Sequence, residues 1–181
     1  MIPLVALSRR PTLVAVDVVA WAAVHSLTGY AVHRMPNRWF ATDGRLTCGR
    51  EWEDHGRWYE RLRIRRWKDR VPEAGAVFAG GTSKRAIPAA ADGGLARLAV
   101  ETRRAEWGHW LAAASSPLFA LWNPPWIAVV MVVYGLAVNA PFIAIQRYNR
   151  LRIGRAMSRR GSGRASGRSR TDRGTTGASI P

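Results

Sequence analysis

Three apolar runs stand out along the chain, and polar, basic segments separate them. Residues 12–33 carry 15 apolar side chains in 22, and residues 126–145 carry 17 in 20. Because an α-helix rises about 1.5 Å per residue, either run can cross the roughly 30 Å hydrocarbon core of a bilayer. Residues 105–122 form a shorter run of 12 apolar side chains in 18, interrupted by Glu106 and His109. The pattern predicts a mainly α-helical, small integral membrane protein with about three transmembrane helices.

The second and third runs are predicted to form a helical hairpin (105–145). Only Asn123, Pro124 and Pro125 separate them, and so short a connection makes two helices antiparallel neighbours. The pattern leaves open whether residues 105–122 cross the membrane or only re-enter it, because ionisable residues are costly inside a bilayer.

The rest of the chain is polar and basic. Residues 34–104 read as a cytoplasmic or interfacial segment that ends in an amphipathic helix, for which Asp92 is a candidate N-cap. Residues 146–153 form a short basic motif. Residues 154–181 contain mainly Arg, Ser, Gly and Thr, and this composition predicts a disordered tail.

The net charge of +16, from 28 Lys and Arg against 12 Asp and Glu, is distributed in a way that predicts orientation. Two basic residues precede the first run, 16 lie in residues 34–104, and 10 lie from Arg147 onward, whereas the 123–125 turn has none. Since Lys and Arg near span ends stay on the cytoplasmic side, we expect a multi-pass protein of the cell membrane. Its N-terminus would lie outside, and its central segment and C-terminus in the cytoplasm.

Two alternatives bear on this topology. The first run, preceded by Arg9 and Arg10, could instead be a cleaved signal peptide, which would leave the 16 central basic residues outside. The mixture of aromatic and basic residues in 51–70 suits an anionic membrane surface and would also suit RNA. The flanking spans favour membrane lipids as partners and argue against nucleic acid. Cys48 is the single cysteine, which excludes an intrachain disulfide framework and a multi-thiolate zinc site.

Candidate chemistry lies at the start of the second run. On a helix, Thr102, Glu106 and His109 stand four and three residues apart and share one face. Ionisable residues at membrane depth are functional candidates by default. In the alternative interpretation, Glu101 and Glu106 stabilise a helix start and His109 contacts headgroups.

A second group of polar residues closes the third run. Asn139 precedes Pro141 within the apolar stretch, and Gln146 and Asn149 follow it among arginines. Arg147 and Arg150 can be explained as positive-inside anchors, but the two amides cannot. Because His109 and Gln146 both fall at predicted cytoplasmic span ends, we expect one site there, joined by the loop that carries His55.

The sequence resembles the glycosyl-4,4'-diaponeurosporenoate acyltransferase family of carotenoid biosynthesis. The residues that carry the resemblance are Glu53-x-His55-Gly56, Arg65-x-Trp67-Lys68, the 101–106 run with His109-Trp110, Asn139-x-Pro141, and Gln146-Arg147-Tyr148-Asn149-Arg150-x-Arg152. The resemblance implies transfer of a fatty acyl group to a sugar hydroxyl of a glycosylated carotenoid or related glycolipid. The donor would be an acyl thioester, acyl-CoA or an acyl-carrier protein. No metal or other cofactor is expected, and other enzymes of the pathway are candidate partners.

Within this hypothesis His109 is the general base, and Glu106 holds its tautomer. Arg147 and Arg150 would bind donor phosphates, and Asn139, Gln146 or an arginine would stabilise the oxyanion. The full set of expected substrate, oxyanion or phosphate contacts is His55, Arg65, Lys68, Glu101, Arg103, Asn139, Gln146, Arg147, Asn149 and Arg150. The alternative is a non-catalytic membrane scaffold or lipid-binding protein of a pigment or glycolipid pathway.

Overall fold

The computed structural model describes residues 10–70 and 93–174, with residues 160–174 as backbone alone. The candidate N-cap Asp92 and the last residues of the chain lie outside the described residues. Five α-helices and four 3-10 turns follow one another, and no strand occurs in the described ranges. The α-helices are α1 (Arg10–Arg34), α2 (Arg57–Arg61), α3 (Ile64–Trp67), α4 (Gly94–Ala114) and α5 (Pro125–Gly174). The 3-10 turns are Asn37–Phe40, Glu51–Gly56, Lys68–Arg70 and Ser116–Leu121. The predicted mainly α-helical fold is confirmed.

The first helix is held at both ends by residues of the later helices. It ends at Arg34, as Pro36 requires, because proline disfavours helical geometry in the residue before it. The guanidinium of Arg104 on α4 donates to the last carbonyls of α1, including that of His33 at 3.2 Å. At the other end, Asp17 accepts hydrogen bonds from Trp122 at 2.8 Å and Asn123 at 2.9 Å. A cation at the C-terminal carbonyls complements the helix dipole, so α1 is docked onto the hairpin.

Helices α4 and α5 form the predicted hairpin, but the second run is not one continuous helix. Helix α4 ends at Ala114, and a 3-10 turn follows over Ser116–Leu121. Pro117 has no N–H, and the hydroxyl of Ser115 bonds the carbonyl of Leu111 at 2.8 Å, so the α-helical pattern ends there. Helix α5 begins at Pro125, the position in a helix where proline is best tolerated.

Helix α5 continues far beyond the predicted third run. The sequence predicted disorder from residue 154 onward, whereas the helical backbone extends to Gly174. Adding a residue to an existing helix costs far less than starting a new one, and the Arg and Ala residues of this segment are good helix formers. The described part of the tail therefore differs from the expectation.

Within the part of the chain that the structure describes, two helices are long and apolar enough to cross a membrane, namely Pro11–Arg34 and Pro125–Arg159. Helix α4 is not among them. It combines the polar helix predicted before residue 105 with the apolar run after it, and Arg103, Arg104 and Glu106 interrupt its apolar character. The three-span arrangement remains a prediction.

The small helices pack on the middle of α5. Tyr59 and Ile64 form a buried cluster with Ile145 and Tyr148. This cluster fixes the 51–67 segment against the hairpin and brings Glu53 next to Arg147, so the fold assembles the polar site from segments distant in sequence.

Candidate active site

A single guanidinium, that of Arg147, lies between two buried carboxylates. Its Nε and Nη2 donate to Glu53 at 2.7 and 2.9 Å, and its Nη1 donates to Glu106 at 2.8 Å. The remaining N–H groups reach the carbonyls of Leu46 at 2.7 Å and Cys48 at 2.9 Å. Both carboxylates are fully buried. All five donors of Arg147 are therefore used, and one side chain joins α5, α4 and the 46–53 segment.

Arg150 lies about one turn further along α5 and also binds Glu106. We call the group of Glu53, Glu106, Arg147 and Arg150 the ion-pair layer. Arg150 donates to the second oxygen of Glu106 and to the carbonyl of Thr47, and its Nε lies 3.4 Å from Asp43. Both oxygens of Glu106 thus accept from arginines. The chain from Asp43 to Glu53 is wrapped on α5 by carbonyl and carboxylate contacts to two arginines.

Glu53 is ionised in this environment. Burial opposes its charge, but hydrogen bonds from Arg147, from Tyr59 and from the Arg50 backbone N–H outweigh that cost and lower the pKa of Glu53 below its ordinary value. The Tyr59 hydroxyl lies 2.5 Å from the carboxylate, and burial together with this bond raises the pKa of Tyr59. Tyr59 is consequently a donor only, with no role as a base near neutral pH.

These contacts bear on two sequence predictions. Arg147 was expected to bind donor phosphates together with Arg150, but its donors are fully engaged and both side chains are buried. Glu106 was expected to hold His109 in its tautomer. In the structure, His109 Nδ1 lies 2.9 Å from Oδ1 of Asn139, and both oxygens of Glu106 bond arginines. The spacing of Glu106 and His109 on one helix could not reveal that a carboxylate 41 residues before Arg147 would pair with it.

The geometry of Asn139 fixes the proton on His109. Its Nδ2 lies 2.8 Å from the carbonyl oxygen of Gly135, which can only accept, so this atom is the amide nitrogen. Its Oδ1 therefore faces His109 Nδ1 and accepts a hydrogen bond from it. In the neutral imidazole the proton then lies on Nδ1 and the basic lone pair on Nε2. Asn139 is 1% exposed and uses both ends of its amide in these contacts.

The imidazole of His109 is further oriented by stacking. Its ring lies on that of Phe142, with centroids 4.6 Å apart and planes inclined by 14°. His109 is half-buried, one turn beyond Glu106 on α4. A hydrogen bond and a ring contact from α5 therefore hold a histidine of α4 in one orientation, with its side chain still accessible.

Arg103 and Glu101 lie on the polar half of α4. Arg103 bonds Asp43 at 2.7 Å and the carbonyls of Phe40 at 3.2 Å and Ala41 at 3.3 Å. Glu101 lies 3.6 Å from Arg104, the residue that caps α1. Glu101 thus belongs to the contacts that dock α1, and Arg103 shares Asp43 with Arg150.

The remaining predicted contacts lie on α3, on the 3-10 turn that follows it, and on α5. Arg65 donates to Glu60 at 2.7 Å and to the hydroxyl of Tyr148 at 2.8 Å, and Tyr148 belongs to the buried cluster on α5. Lys68 and Asn149 are half-buried, and Gln146 is buried on α5. Arg65 does not join the ion-pair layer.

His55 lies in a strained turn. Asp54 and His55 have φ of 44° and 51°, and Gly56 follows at 98°. Left-handed geometry costs energy in residues other than glycine, and two such residues in a row are rare. The buried Glu53 and the buried Gly56 enclose this turn, whereas His55 itself is exposed.

The strained turn borders a cavity of about 530 Å3 between the 43–55 segment, α4 and the far half of α5. Its charged and titratable lining is Asp43, His55, Arg103, Arg150, Arg155 and Arg159. Two sequence-predicted sites thus separate in the structure. His109 and Asn139 lie on one side of the ion-pair layer, and His55 and Arg103 lie at the cavity on the other side.

Sequence reasoning missed Glu53, Asp43 and Arg104 as parts of this arrangement, and Arg155 and Arg159 as parts of the cavity. Glu53 lies in a motif that resembles the family, but the sequence pattern alone predicts no role for it. With only 12 acidic residues to 28 basic ones, each acid is a potential buried partner, and that imbalance was the available signal.

The comparisons with known proteins agree on one family. A family model described as glycosyl-4,4'-diaponeurosporenoate acyltransferase matches residues 36–159. A protein of that name from Staphylococcus aureus strain bovine RF122 / ET3-1 is 26% identical over 132 residues, which cover 71% of this chain and 79% of the relative. The proteins from strains USA300 and Newman are 26% and 25% identical over 132 and 121 residues, covering 79% and 73% of their own lengths. No solved structure matches the chain at a significant level.

The match extends over every element of the ion-pair layer. It runs from Pro36 through both carboxylates and both arginines, and it includes His55, His109 and Asn139. Because it covers more than half of the chain, the chain belongs to the glycosyl-4,4'-diaponeurosporenoate acyltransferase family, and it is an acyltransferase enzyme.

Proposed function

We propose that this enzyme works in the cell membrane and esterifies a sugar hydroxyl of a glycosylated carotenoid, or of a related glycolipid, with a fatty acyl group from an acyl thioester. The names of the relatives support an acyltransferase of the carotenoid pathway. A carotenoid glycoside is held in the bilayer by its hydrocarbon part, so its sugar lies at the level where spans end.

The surfaces of the two apolar helices support a membrane location. Val19 and Leu27 on α1 are 68% and 67% exposed, and Trp126 and Val129 on α5 are 69% and 63% exposed. The core helix of a water-soluble protein would bury such residues, whereas lipid accommodates them. Multi-pass topology with a cytoplasmic central segment and C-terminus is part of this proposal.

The chemistry requires one base and no covalent enzyme intermediate. His109 Nε2 removes the proton of the sugar hydroxyl as its oxygen attacks the thioester carbonyl carbon. The tetrahedral intermediate then expels the thiolate by breaking the C–S bond, and His109 returns the proton to sulfur. The products are the sugar ester and the free thiol. Gln146 remains the predicted donor to the oxyanion.

The pair formed by His109 and Asn139 is the observation that carries the proposal. A fully buried amide, fixed by a backbone carbonyl, forces the tautomer that leaves Nε2 basic. In catalytic triads, a third side chain orients the catalytic histidine and fixes its tautomer in the same way.

Acylation in cells tests the base. We expect His109→Ala to lower formation of the acylated product by about 100-fold or more in cells that make the glycosylated precursor, because a general base contributes about 10² to 10⁴. Mass spectrometry of the lipid extract measures the acylated and unacylated species. The matched control is His25→Ala, which removes a histidine of α1 that neighbours Trp21. A His109→Ala enzyme as active as this control would refute the assignment.

Two substitutions of Asn139 distinguish a role in orienting His109 from a role in folding. Asn139→Asp keeps an acceptor for Nδ1–H, whereas Asn139→Leu removes it. We therefore expect the Asp variant to retain more of kcat than the Leu variant, with the KM for the acyl donor unchanged in both. Equal loss in two equally stable variants would show that the contact to His109 is not what matters.

A further inference from the structure

The arginines first expected to bind the acyl donor are consumed by the ion-pair layer, so the donor needs a different anion site. The cavity of about 530 Å3 lies on the side of that layer away from His109, and its size is typical of small-molecule sites. Four arginines and one carboxylate line it, together with His55. Arg103 and Arg150 are paired with Asp43 and Glu106, so the positive charge that remains for a ligand comes from Arg155 and Arg159.

Two of these arginines keep donors for a ligand. Arg155 and Arg159 stand four residues apart on α5, so their guanidinium groups share one face of the helix. Arg155 has a long contact of 3.8 Å to Glu60, and Arg159 is exposed. Like charges at this spacing repel each other, and an anion between them removes the repulsion.

The other lining residues complete a site for a nucleotide rather than for a lone phosphate. Asp43 pairs with Arg103 and Arg150 and holds them at one wall. Leu151, Ile153 and Met157 add apolar surface, and the strained turn presents His55 at the rim. Apolar surface beside guanidinium groups suits a ring with attached phosphates.

We infer that this cavity binds the phosphorylated nucleotide end of a coenzyme A thioester, with Arg155 and Arg159 contacting its phosphates and His55 at its rim. The identity of the ligand rests on the proposed acyl transfer. A coenzyme A thioester carries its reacting carbonyl at the end of a long pantetheine arm. Asn139 and Arg155 are about 24 Å apart along α5, so the two ends of such a donor occupy the cavity and the neighbourhood of His109 separately.

Binding of free coenzyme A tests the inference without turnover. The full chain, purified in nanodiscs of uncharged lipid, is titrated with coenzyme A in the unaltered, R155Q/R159Q and R152Q forms. Arg152 is the matched control, because it lies on the same helix but over the ring of Tyr148. Charge-assisted bonds to phosphate are strong, so we expect the double variant to bind about 10-fold or more weakly and R152Q to bind normally. Equal binding by R155Q/R159Q and R152Q would overturn the inference.

Three competitors identify the occupant. Pantetheine lacks phosphates, and we expect it to compete at least about 10-fold more weakly than coenzyme A. If phosphatidylglycerol in the nanodisc displaces coenzyme A completely, the site is a lipid headgroup site and the inference is wrong. If a phosphopantetheinylated carrier protein binds and coenzyme A does not, it is wrong as well. Unchanged thermal unfolding of R155Q/R159Q separates lost binding from lost folding.

Kinetics keep this inference distinct from the proposed reaction. We expect R155Q/R159Q to raise the KM for acyl-CoA and to leave the KM for the glycolipid acceptor unchanged. Coenzyme A binding without any acylation would refute the proposed function and leave the nucleotide site standing. If acylation occurs and its rate at low acyl-CoA does not depend on Arg155 and Arg159, the nucleotide site is refuted and the proposed function stands.

Discussion

Arg147 shows how one residue can hold distant segments of a fold together. Taking a cation and two carboxylates out of water is costly, and only complete pairing offsets that cost. Here every N–H of the guanidinium has an acceptor, and Glu53 and Glu106 are both fully buried. The arrangement is therefore intolerant of losing its central cation.

Replacing Arg147 measures that intolerance. We expect Arg147→Gln to lower the free energy of unfolding by about 3–5 kcal/mol, because it leaves two buried carboxylates without a cation. Arg147→Lys should lie between this variant and the unaltered protein, since an ammonium cannot bridge both groups in a planar fork. Arg152→Gln is the control for charge. Denaturant titration in detergent gives the comparison, and a Gln variant within about 1 kcal/mol of the control would contradict the prediction.

Glu53 makes the fold sensitive to acid. Its pKa in the folded protein lies below the ordinary value of 4.5, so its ionised form contributes stability above that value. The contribution is lost as the pH falls through the folded-state pKa. We expect the thermal midpoint to be steady from pH 7 to 5 and to drop below about pH 4. Glu53→Gln should start from a lower midpoint and show a shallower drop, and parallel curves would contradict this.

Sequence reasoning recognised the residues of the site better than their partners. Glu106 and His109 were singled out because a helix places them on one face, and both are indeed central to polar contacts. Their partners Arg147 and Asn139 come from α5. Because these contacts join two different helices, residue spacing within either helix does not predict them. Asn139 as the orienting group follows only from the contact to Gly135.

At the scale of elements, close approach of α5 to its neighbours determines where the hairpin packs. A Cβ at Gly135 would lie 2.7 Å from the Trp21 ring and 2.8 Å from the Cβ of Ser116. Trp21 in turn stacks on Phe119 with ring centroids 4.7 Å apart. The missing side chain at Gly135 is thus what lets α1, α5 and the 116–121 turn meet.

A methyl group at Gly135 tests this packing. We expect Gly135→Ala to destabilise the protein by about 1–3 kcal/mol, the usual cost of overpacking, although alanine favours helix. Gly154→Ala on the same helix is the control, since its Cβ would meet nothing within 4 Å and should leave stability unchanged or raise it. The thermal unfolding midpoints of the two variants are compared. Equal midpoints would mean that Trp21 and Ser116 shift to admit the methyl group, and would contradict the prediction.

The helices were predictable to the extent that local signals define them. Pro36 ends α1 and the Asn-Pro-Pro turn joins the hairpin, as backbone rules predict. Helix α5 begins at Pro125, one residue before the predicted third run. The end of α4 at Ala114 was missed, because the apolar run continues through Pro117 and hydrophobicity alone does not show a change of helix type.

At the scale of the molecule, polar contacts lie at the two opposite ends of α1. Arg104 binds the C-terminal carbonyls, and Asp17 binds the hairpin turn at Trp122 and Asn123. If the proposed topology holds, the first set of contacts lies on the cytoplasmic side and the second on the outer side.

Cysteine labelling tests that topology. Cys48 is the only cysteine, half-buried beside the ion-pair layer. We expect a membrane-impermeant maleimide to label Cys48 only after the cells are permeabilised. In a Cys48→Ser chain that carries Pro124→Cys, labelling should occur in intact cells. The opposite pattern would reverse the orientation, and labelling of both in intact cells would place both segments outside.

The strained turn at Asp54 and His55 has a consequence for engineering. Glycine adopts positive φ without penalty, so His55→Gly would relieve conformational strain and can raise the melting temperature. A screen for thermostable variants would therefore favour loss of the imidazole at the cavity rim. If coenzyme A binds there, the same variants would fail a screen for turnover at low donor concentration, and the two selections would pull this position in opposite directions.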